Sequence, residues 1–159
     1  MMNEKTNLQD GIFPVNPEDY PRVVEVWESS VRATHHFVAE SDIQIFKPMV
    51  RDVLQHLNLA CMRDVDGQVV GFIAVTDGNV DMLFIHADWR GQGIGGRLLR
   101  HAIATMGAVA LDVNEQNEQA LGFYLRMGFE VVGRSELDGT GKPYPLLHMR
   151  LTGKVGARC

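Results

Sequence analysis

The chain has little of what marks several protein classes. Its two cysteines, Cys61 and Cys159, have neither the spacing of metal ligands nor the number that a disulfide framework needs. No run of about 18 consecutive apolar residues occurs, and the N-terminal stretch lacks the apolar segment of a signal peptide. We therefore expect a cytoplasmic protein without membrane spans, disulfides or a bound metal.

An excess of basic residues is also missing. Lys and Arg number 15 against 20 Asp and Glu, the net charge is −5, and no basic run is present. Nucleic acids and acidic membrane surfaces attract clustered positive charge, so neither is an expected partner. With 45% hydrophobic residues, the chain is long enough for one domain with a core; we predict a domain over residues 1–152 and a flexible C-terminal tail over 153–159.

Apolar runs of strand length alternate with helical patterns, which is typical of a mixed α/β domain. The predicted helices cover residues 16–33 with Asn16 as N-cap, 41–57 with a kink or break at Pro48, 93–106 and 117–127. The predicted strands are 11–15, three antiparallel strands between residues 58 and 85 with turns at 66–67 and 78–79, then 108–113, 129–137 and 144–151.

The stretch "WRGQGIGGRLLRHAI" starts at Trp89 and has four glycines among residues 91–96, followed by an amphipathic helical pattern. A bare backbone lets a ligand come close, and the start of a helix binds anions, most often phosphate. A Walker loop is excluded because no Gly-Lys-Ser/Thr follows. The G-x-G-x-x-G pattern of dinucleotide-binding proteins is present, but residues 86–90 separate it from the preceding strand. A nicotinamide-dependent oxidoreductase is therefore an alternative that depends on this glycine match alone.

A wider pattern surrounds the loop. The motif Arg90-x-x-Gly93-x-Gly95 after an apolar strand, with "GFY..MGF" about 30 residues later, resembles the GNAT (Gcn5-related N-acetyltransferase) family. The order of strands and helices also matches that family's whole domain. The segments "SVRATHHF" and "GKPYPLLHM" resemble its YjaB-like bacterial branch, a group of protein-lysine acetyltransferases.

This resemblance implies a single-domain GNAT fold, with a mixed, mostly antiparallel central sheet of about six to seven strands and about four helices. It implies an enzyme that moves the acetyl group of acetyl-CoA directly to a primary amine, a protein lysine in that branch, without a metal. A small-molecule amine acceptor and a non-catalytic acyl-CoA-binding sensor or interaction module on the same fold are alternatives. The protein is expected to be a monomer or a homodimer.

The resemblance also implies how acetyl-CoA binds. The pantetheine arm pairs like an extra strand with one β-strand, and the loop amides hold the pyrophosphate. An N–H near Phe84 or Ile85 polarises the thioester carbonyl. The implied cofactor-binding residues are Leu83, Phe84, Ile85, Arg90, Gly91, Gln92, Gly93, Ile94, Gly95, Gly96, Asn117 and Tyr124.

Tyr124 matches the family's general acid, which protonates the departing CoA thiolate. A phenol with a pKa of about 10 stays protonated at pH 7 and can serve a thiolate whose conjugate acid has a pKa of about 8.5. Periodicity alone instead favours a core stripe of Leu121, Tyr124 and Leu125.

The general base is open among several residues. Asp81 is preferred, although it is equally well an exposed acid beside a turn; the other candidates are Glu25, Glu28, Asp112 and His148.

Acceptor contacts are expected from the segment between the first two helices, which covers the acceptor cleft in related enzymes. The candidates are Trp27, His35, His36 and Phe37, with Thr34 and Glu40 beside the histidines. Trp27 is also explained by core packing, and the histidines by anchoring of the loop. Adjacent histidines seldom converge on one ion, so no metal site is predicted here.

Overall fold

The computed structural model describes residues 7–152. Its strands are β1 (Phe13–Pro14), β2 (Asn58–Arg63), β3 (Val69–Thr76), β4 (Asn79–Ile85), β5 (Ala110–Asn114), β6 (Phe129–Ser135) and β7 (Leu146–Leu151). Its helices are α1 (Tyr20–Thr34), α2 (Glu40–Val53), α3 (Ile94–Thr105) and α4 (Glu118–Arg126). The predicted α/β class and the order of elements are confirmed. The predicted tail over 153–159, with Cys159, lies outside the described residues.

All seven strands form one sheet in the order β1-β2-β3-β4-β5-β7-β6. Only β4 and β5 pair in parallel, and the other neighbours are antiparallel. The sheet is therefore mixed and mostly antiparallel, as predicted.

Helices cover both faces of the sheet, which makes two apolar cores. In the central strand β3, Phe72 and its neighbour Ile73 are fully buried and belong to different cores. Phe72 packs with α1 and α2, and Ile73 packs with Leu98 and Leu99 of α3. Burial of each such side chain stabilises the folded state by about 2 kcal/mol. Side chains on the two faces of β3 therefore help to hold both layers of helices against the sheet.

Two local predictions about helices hold only in part. Asn16 is an N-cap with Pro17 at the first helical position, as predicted, but the helix that it caps starts as a short 3-10 turn over Pro17–Asp19, and α1 begins at Tyr20. The Asn16 N–H donates to the Asp19 carboxylate at 2.8 Å. Helix α2 continues through Pro48, so the predicted break into two pieces is wrong, whereas the kink given as its alternative stays a prediction. Pro48 lies at an exposed position, where water can satisfy the carbonyl that the missing N–H leaves open.

The parallel pairing of β4 and β5 is short. It joins Asn79 to Ala110 and Val80 to Leu111, and it ends there. In β4, Val80 pairs with Val75 and Met82 pairs with Ala74, so Asp81 is the extra residue of a β-bulge at this point. Beyond the bulge β4 and β5 separate, and a gap opens between them.

Candidate active site

A cleft of about 550 Å³ lies beside the part of β4 that β5 does not pair with. Residues 83–85 of β4, the glycine loop with the start of α3, the end of α1 and one face of α4 line it. Of the predicted cofactor-binding residues, all except Gln92 line this cleft, and Gln92 lies in the same loop. Their role as ligands of acetyl-CoA stays a prediction, but the fold brings them together at one place.

Sequence reasoning missed part of this lining. The lining residues for which no role was predicted are Ser30, Trp89, Gln119, Ala120, Phe123 and Arg126. Ala120 and Phe123 follow Asn117 at helical spacing, a signal that identifies the cleft-facing side of α4. Ser30 comes from α1, far away in the chain, and no local pattern marks it.

The glycine loop and the start of α3 form a cradle for an anion. Gly91 and Gly93 have φ of +79° and +80°, and a Cβ at either position would meet no atom within 4 Å, so bare backbone borders open space. Arg97 N–H donates the first helical hydrogen bond, to the carbonyl of Gly93 at 3.1 Å. The N–H groups of residues 94–96 therefore point beyond the helix end, where the dipole is positive. This arrangement fits a pyrophosphate.

Positive side chains lie at the rim of the cleft. Arg90 Nη2 donates to Gln119 Oε1 at 2.7 Å, which connects the glycine loop to α4. Arg126, at the end of α4, also lines the cleft. Both guanidinium groups add charge that favours an anionic ligand.

Tyr124 is buried between two phenyl rings. Its ring contacts Phe123 and Phe129 edge to face, with centroids 5.2 and 6.1 Å away. Burial raises the pKa of its phenol, so the hydroxyl keeps its proton. Within residues 7–152 this hydroxyl has no hydrogen-bond partner. The alternative core stripe is incomplete, because Leu125 is 50% exposed.

Asn117 connects α4 to the end of α1. Its Oδ1 accepts the N–H of Ala120 at 3.2 Å, which caps α4, and its Nδ2 lies 3.3 Å from His35 Nε2. His35 follows α1 directly and lines the cleft. Burial, and the neighbouring His36 to a lesser degree, lower the pKa of His35 from 6.5 to about 4. The imidazole is therefore neutral at pH 7.

The structure separates the predicted acceptor residues. Trp27 lies in the core that α1 and α2 share, with 5% of its surface exposed, and His36 is exposed; neither lines the cleft. Phe37 is half-buried, with ring centroids 5.3 Å from His35 and 6.1 Å from Tyr144. Of the four candidates, His35 lines the cleft, and Phe37 connects His35 to Tyr144 in the segment before β7.

Tyr144, which sequence reasoning did not single out, connects the segment before β7 to α2. Its hydroxyl donates to the Asp42 carboxylate and accepts the N–H of Ala39 at 3.3 Å. Lys142 Nζ lies 3.1 Å from Asp42 Oδ1. These contacts hold the segment over 136–145 against the start of α2, beside Phe37.

The base candidates lie in different surroundings. Asp81 is exposed at the bulge, accepts from Asn79 Nδ2 at 3.0 Å and does not line the cleft. Asp112 accepts from His148 Nδ1 at 2.6 Å, and His148 Nε2 lies 2.7 Å from Ser135 Oγ. The two carboxylates each follow the last paired residue of their strand, at the point where β4 and β5 separate.

The two helix candidates are engaged in ion pairs. Glu28 lies 2.7 Å from Lys47 Nζ and 2.9 Å from Arg32, and its pKa is lowered, mainly by Lys47. Glu25 is exposed and pairs with Arg22 at 3.4 Å. Neither lines the cleft.

A split mixed sheet, a glycine-rich anion cradle and a buried tyrosine in one cleft define an acyltransferase domain. Residues 25–152 match the family described as the acetyltransferase (GNAT) domain. The chain belongs to this family of acetyl-CoA-dependent N-acetyltransferases, as its resemblance implied.

Curated relatives are similar over most of the chain. Peptidyl-lysine N-acetyltransferase YjaB of Salmonella typhimurium is 42% identical over 132 residues, which cover 83% of this chain and 91% of that protein. YjaB of Escherichia coli is 41% identical over 136 residues, with 86% and 92% covered. These likenesses confirm the YjaB-like branch.

Solved structures agree with the fold. The solution structure of apo YjaB from Escherichia coli has a TM-score of 0.83 at 40% identity and covers 90% of this chain and 97% of its own. A PaiA N-acetyltransferase from Thermoplasma acidophilum, crystallised with coenzyme A, has a TM-score of 0.68 at 19% identity, with 89% and 98% covered. The latter likeness shows the fold alone.

Residues 7–152 hold no group of three or more His, Cys, Asp or Glu arranged for a metal ion. None of the helices in that range is both long and apolar enough to span a membrane.

Proposed function

We propose that the protein transfers the acetyl group of acetyl-CoA to the side-chain amine of a protein lysine, with Tyr124 as general acid. The observation that carries the proposal is a buried phenol, without a hydrogen-bond partner in residues 7–152, in the same cleft as the anion cradle. Support for lysine comes from the YjaB relatives, which are peptidyl-lysine N-acetyltransferases. The net charge of −5 also favours a cationic acceptor such as lysine.

Acetyl-CoA is the co-substrate in this proposal. Its pyrophosphate lies against the N–H groups of residues 94–96, and its pantetheine arm lies along the edge of β4 that β5 leaves open. The thioester carbonyl then meets an N–H near Phe84 or Ile85, which stabilises the oxyanion of the tetrahedral intermediate.

The leaving thiolate needs a proton, and Tyr124 supplies it. Because burial raises the phenol pKa, the acid is fully protonated at pH 7. Burial in the same cleft also disfavours the charged thiolate, which favours its protonation.

The acceptor amine must lose a proton before it attacks. We retain Asp81 as the proposed base, because the bulge places it one residue beyond the last pair of β4 and β5. Asp112 has the matching position on β5 and is the second candidate. Comparison of Asp81→Asn with Asp112→Asn separates them: loss of the base lowers kcat most at low pH, where neutral amine is scarce.

The decisive experiment compares wild type with Tyr124→Phe, using acetyl-CoA and a lysine-containing peptide. We expect kcat to fall by about 10² or more, since an acid–base group contributes that much, while calorimetry shows unchanged acetyl-CoA affinity. Tyr20→Phe, a half-buried tyrosine outside the cleft, is the matched control.

Each alternative has its own outcome. Full turnover by Tyr124→Phe would remove the general acid from the proposal. Turnover with small amines but not with peptides would replace the lysine acceptor. Acetyl-CoA binding without turnover of any amine would favour the sensor or interaction module, and binding of NADH alone would favour the oxidoreductase.

A further inference from the structure

We infer that His35, as the neutral tautomer with its proton on Nδ1, is a positioning residue that holds α4, and with it Tyr124, against the end of α1. The inference rests on the role proposed for Tyr124. It adds a residue that acts across the cleft without taking part in the chemistry.

The hydrogen bonds determine where the proton of His35 lies. Thr34 Oγ1 donates its single proton to the carbonyl of Ser30 at 2.7 Å. At its 2.8 Å contact with His35 Nδ1 the same oxygen must therefore accept, so Nδ1 carries the hydrogen. This leaves Nε2 as an acceptor on the side that faces Asn117.

The Asn117 amide is determined in the same way. Its Oδ1 accepts the N–H of Ala120, so its Nδ2 faces the ring and donates to His35 Nε2 at 3.3 Å. A continuous chain of donors thus runs from the Ala120 N–H through Asn117, His35 and Thr34 to the carbonyl of Ser30. Every group in it has its partner, and such chains strengthen cooperatively.

Only neutral His35 fits this chain. A protonated ring would place a second N–H against the Asn117 amide group, donor against donor. The surroundings disfavour that charge, since the ring packs beside Phe37 and Phe84 with centroids 5.3 and 6.4 Å away. The lowered pKa of His35 agrees with the geometry.

The position of α4 depends on this chain. The helix has nine residues, too few to be stable without contacts at its ends and along its side. Asn117 caps it, and Tyr124 lies seven residues further on, two turns from the cap and on the same face. Loss of the bond to His35 frees the cap to shift and moves the phenol with it. A shift of about 1 Å in a reacting group can lower a rate by about a hundredfold.

Kinetics with matched variants test the inference. His35→Phe keeps the ring and removes both nitrogens, whereas His35→Gln keeps an acceptor near the position of Nε2. With acetyl-CoA and a lysine peptide, we expect His35→Phe to lower kcat by tenfold to a hundredfold or so. We expect His35→Gln to recover most of that loss, with the acceptor KM unchanged in both variants. His56→Phe, at an exposed histidine outside the cleft, is the control.

A double mutant separates positioning from general damage to the fold. If His35 acts through Tyr124, then His35→Phe has almost no further effect on kcat in the Tyr124→Phe background. Equal losses in both backgrounds, or the absence of recovery by His35→Gln, would overturn the inference. A normal kcat for Tyr124→Phe alone would instead count against the proposed function, and the two failures are thereby distinguishable.

One measurement needs no variant to fold. Long-range ¹⁵N–¹H correlation spectra of the wild-type protein report which ring nitrogen of each histidine carries a proton. We expect the Nδ1–H form for His35 at pH 7, whereas an Nε2–H or doubly protonated ring would refute the inference.

Discussion

Acidification should lower the free energy of unfolding of this protein through one half-buried histidine, His35. The pKa of His35 falls from 6.5 to about 4 in the folded protein, mainly because of burial. Between these values the unfolded chain binds a proton that the folded protein does not bind. His35 therefore does not reduce the free energy of unfolding above pH 6.5. Below that pH it lowers this free energy progressively, until the folded protein also binds the proton near pH 4.

The size of the effect follows from the two pKa values. Linkage with values of 6.5 and about 4 gives a loss of about 2 kcal/mol between pH 7 and pH 5. That loss is a large fraction of the 5–15 kcal/mol or so that stabilises a typical domain. His35→Gln has no group that titrates there, so the same change of pH costs it less.

Urea unfolding of wild type and His35→Gln at pH 7 and pH 5 measures the effect. The decisive quantity is the difference between the two pH-induced changes, because carboxylates such as Asp19 titrate in both proteins and cancel. We expect wild type to lose about 2 kcal/mol more than the variant. Equal losses would mean that His35 is not held neutral, and the tautomer argument would fail with it.

Three further changes probe the cleft. A Cβ at Gly71 of β3 would lie 2.8 Å from Ile85 and 2.9 Å from Ile94, so Gly71→Ala should lower the free energy of unfolding by about 1–3 kcal/mol. Because both isoleucines line the cleft, we also expect weaker acetyl-CoA binding in calorimetry. Gly93 has φ of +80°, so Gly93→Ala should cost about 1–2 kcal/mol in backbone strain and raise the acetyl-CoA Kd; an unchanged Kd would mean that the loop does not bind the pyrophosphate. Arg90→Gln should raise the acetyl-CoA KM several-fold at low salt and less at high salt, because exposed charges are screened; a salt-independent effect would argue against a phosphate contact.

Local patterns explain why the elements and the anion cradle were predictable. Apolar periodicity and turn residues determine structure over a few neighbouring positions. The cluster of glycines before α3 is a signal of the same local kind. Gly93 and its neighbours therefore indicate both the loop with positive φ and the helix start within one short segment. The break expected at Pro48 was wrong for the opposite reason, since contacts of α2 with the core override the local preference.

The rest of the site depends on contacts between distant segments. His35 meets Asn117 across 82 positions, and Asp42 meets Tyr144 across 102. No pattern in either segment reports such a contact. Gly71 shows the same limit: it stands in an apolar strand, and only packing of β4 and α3 against it reveals why a side chain does not fit.

Different segments of the fold line the cleft and form the predicted acceptor contacts, which explains why the reaction is easier to infer than the acceptor. Helix α3 follows β4, and helix α4 follows β5. The glycine loop and Tyr124 therefore both belong to segments that come directly after the two strands that separate. The segments predicted to contact the acceptor are built differently, because Phe37 contacts Tyr144 and Tyr144 contacts Asp42, while none of the three residues lines the cleft. Phe37 packs beside His35, with ring centroids 5.3 Å apart, so these segments meet the cleft at that residue. Likeness to a solved structure at 19% identity shows the shared fold and leaves the acceptor amine to be determined for each protein.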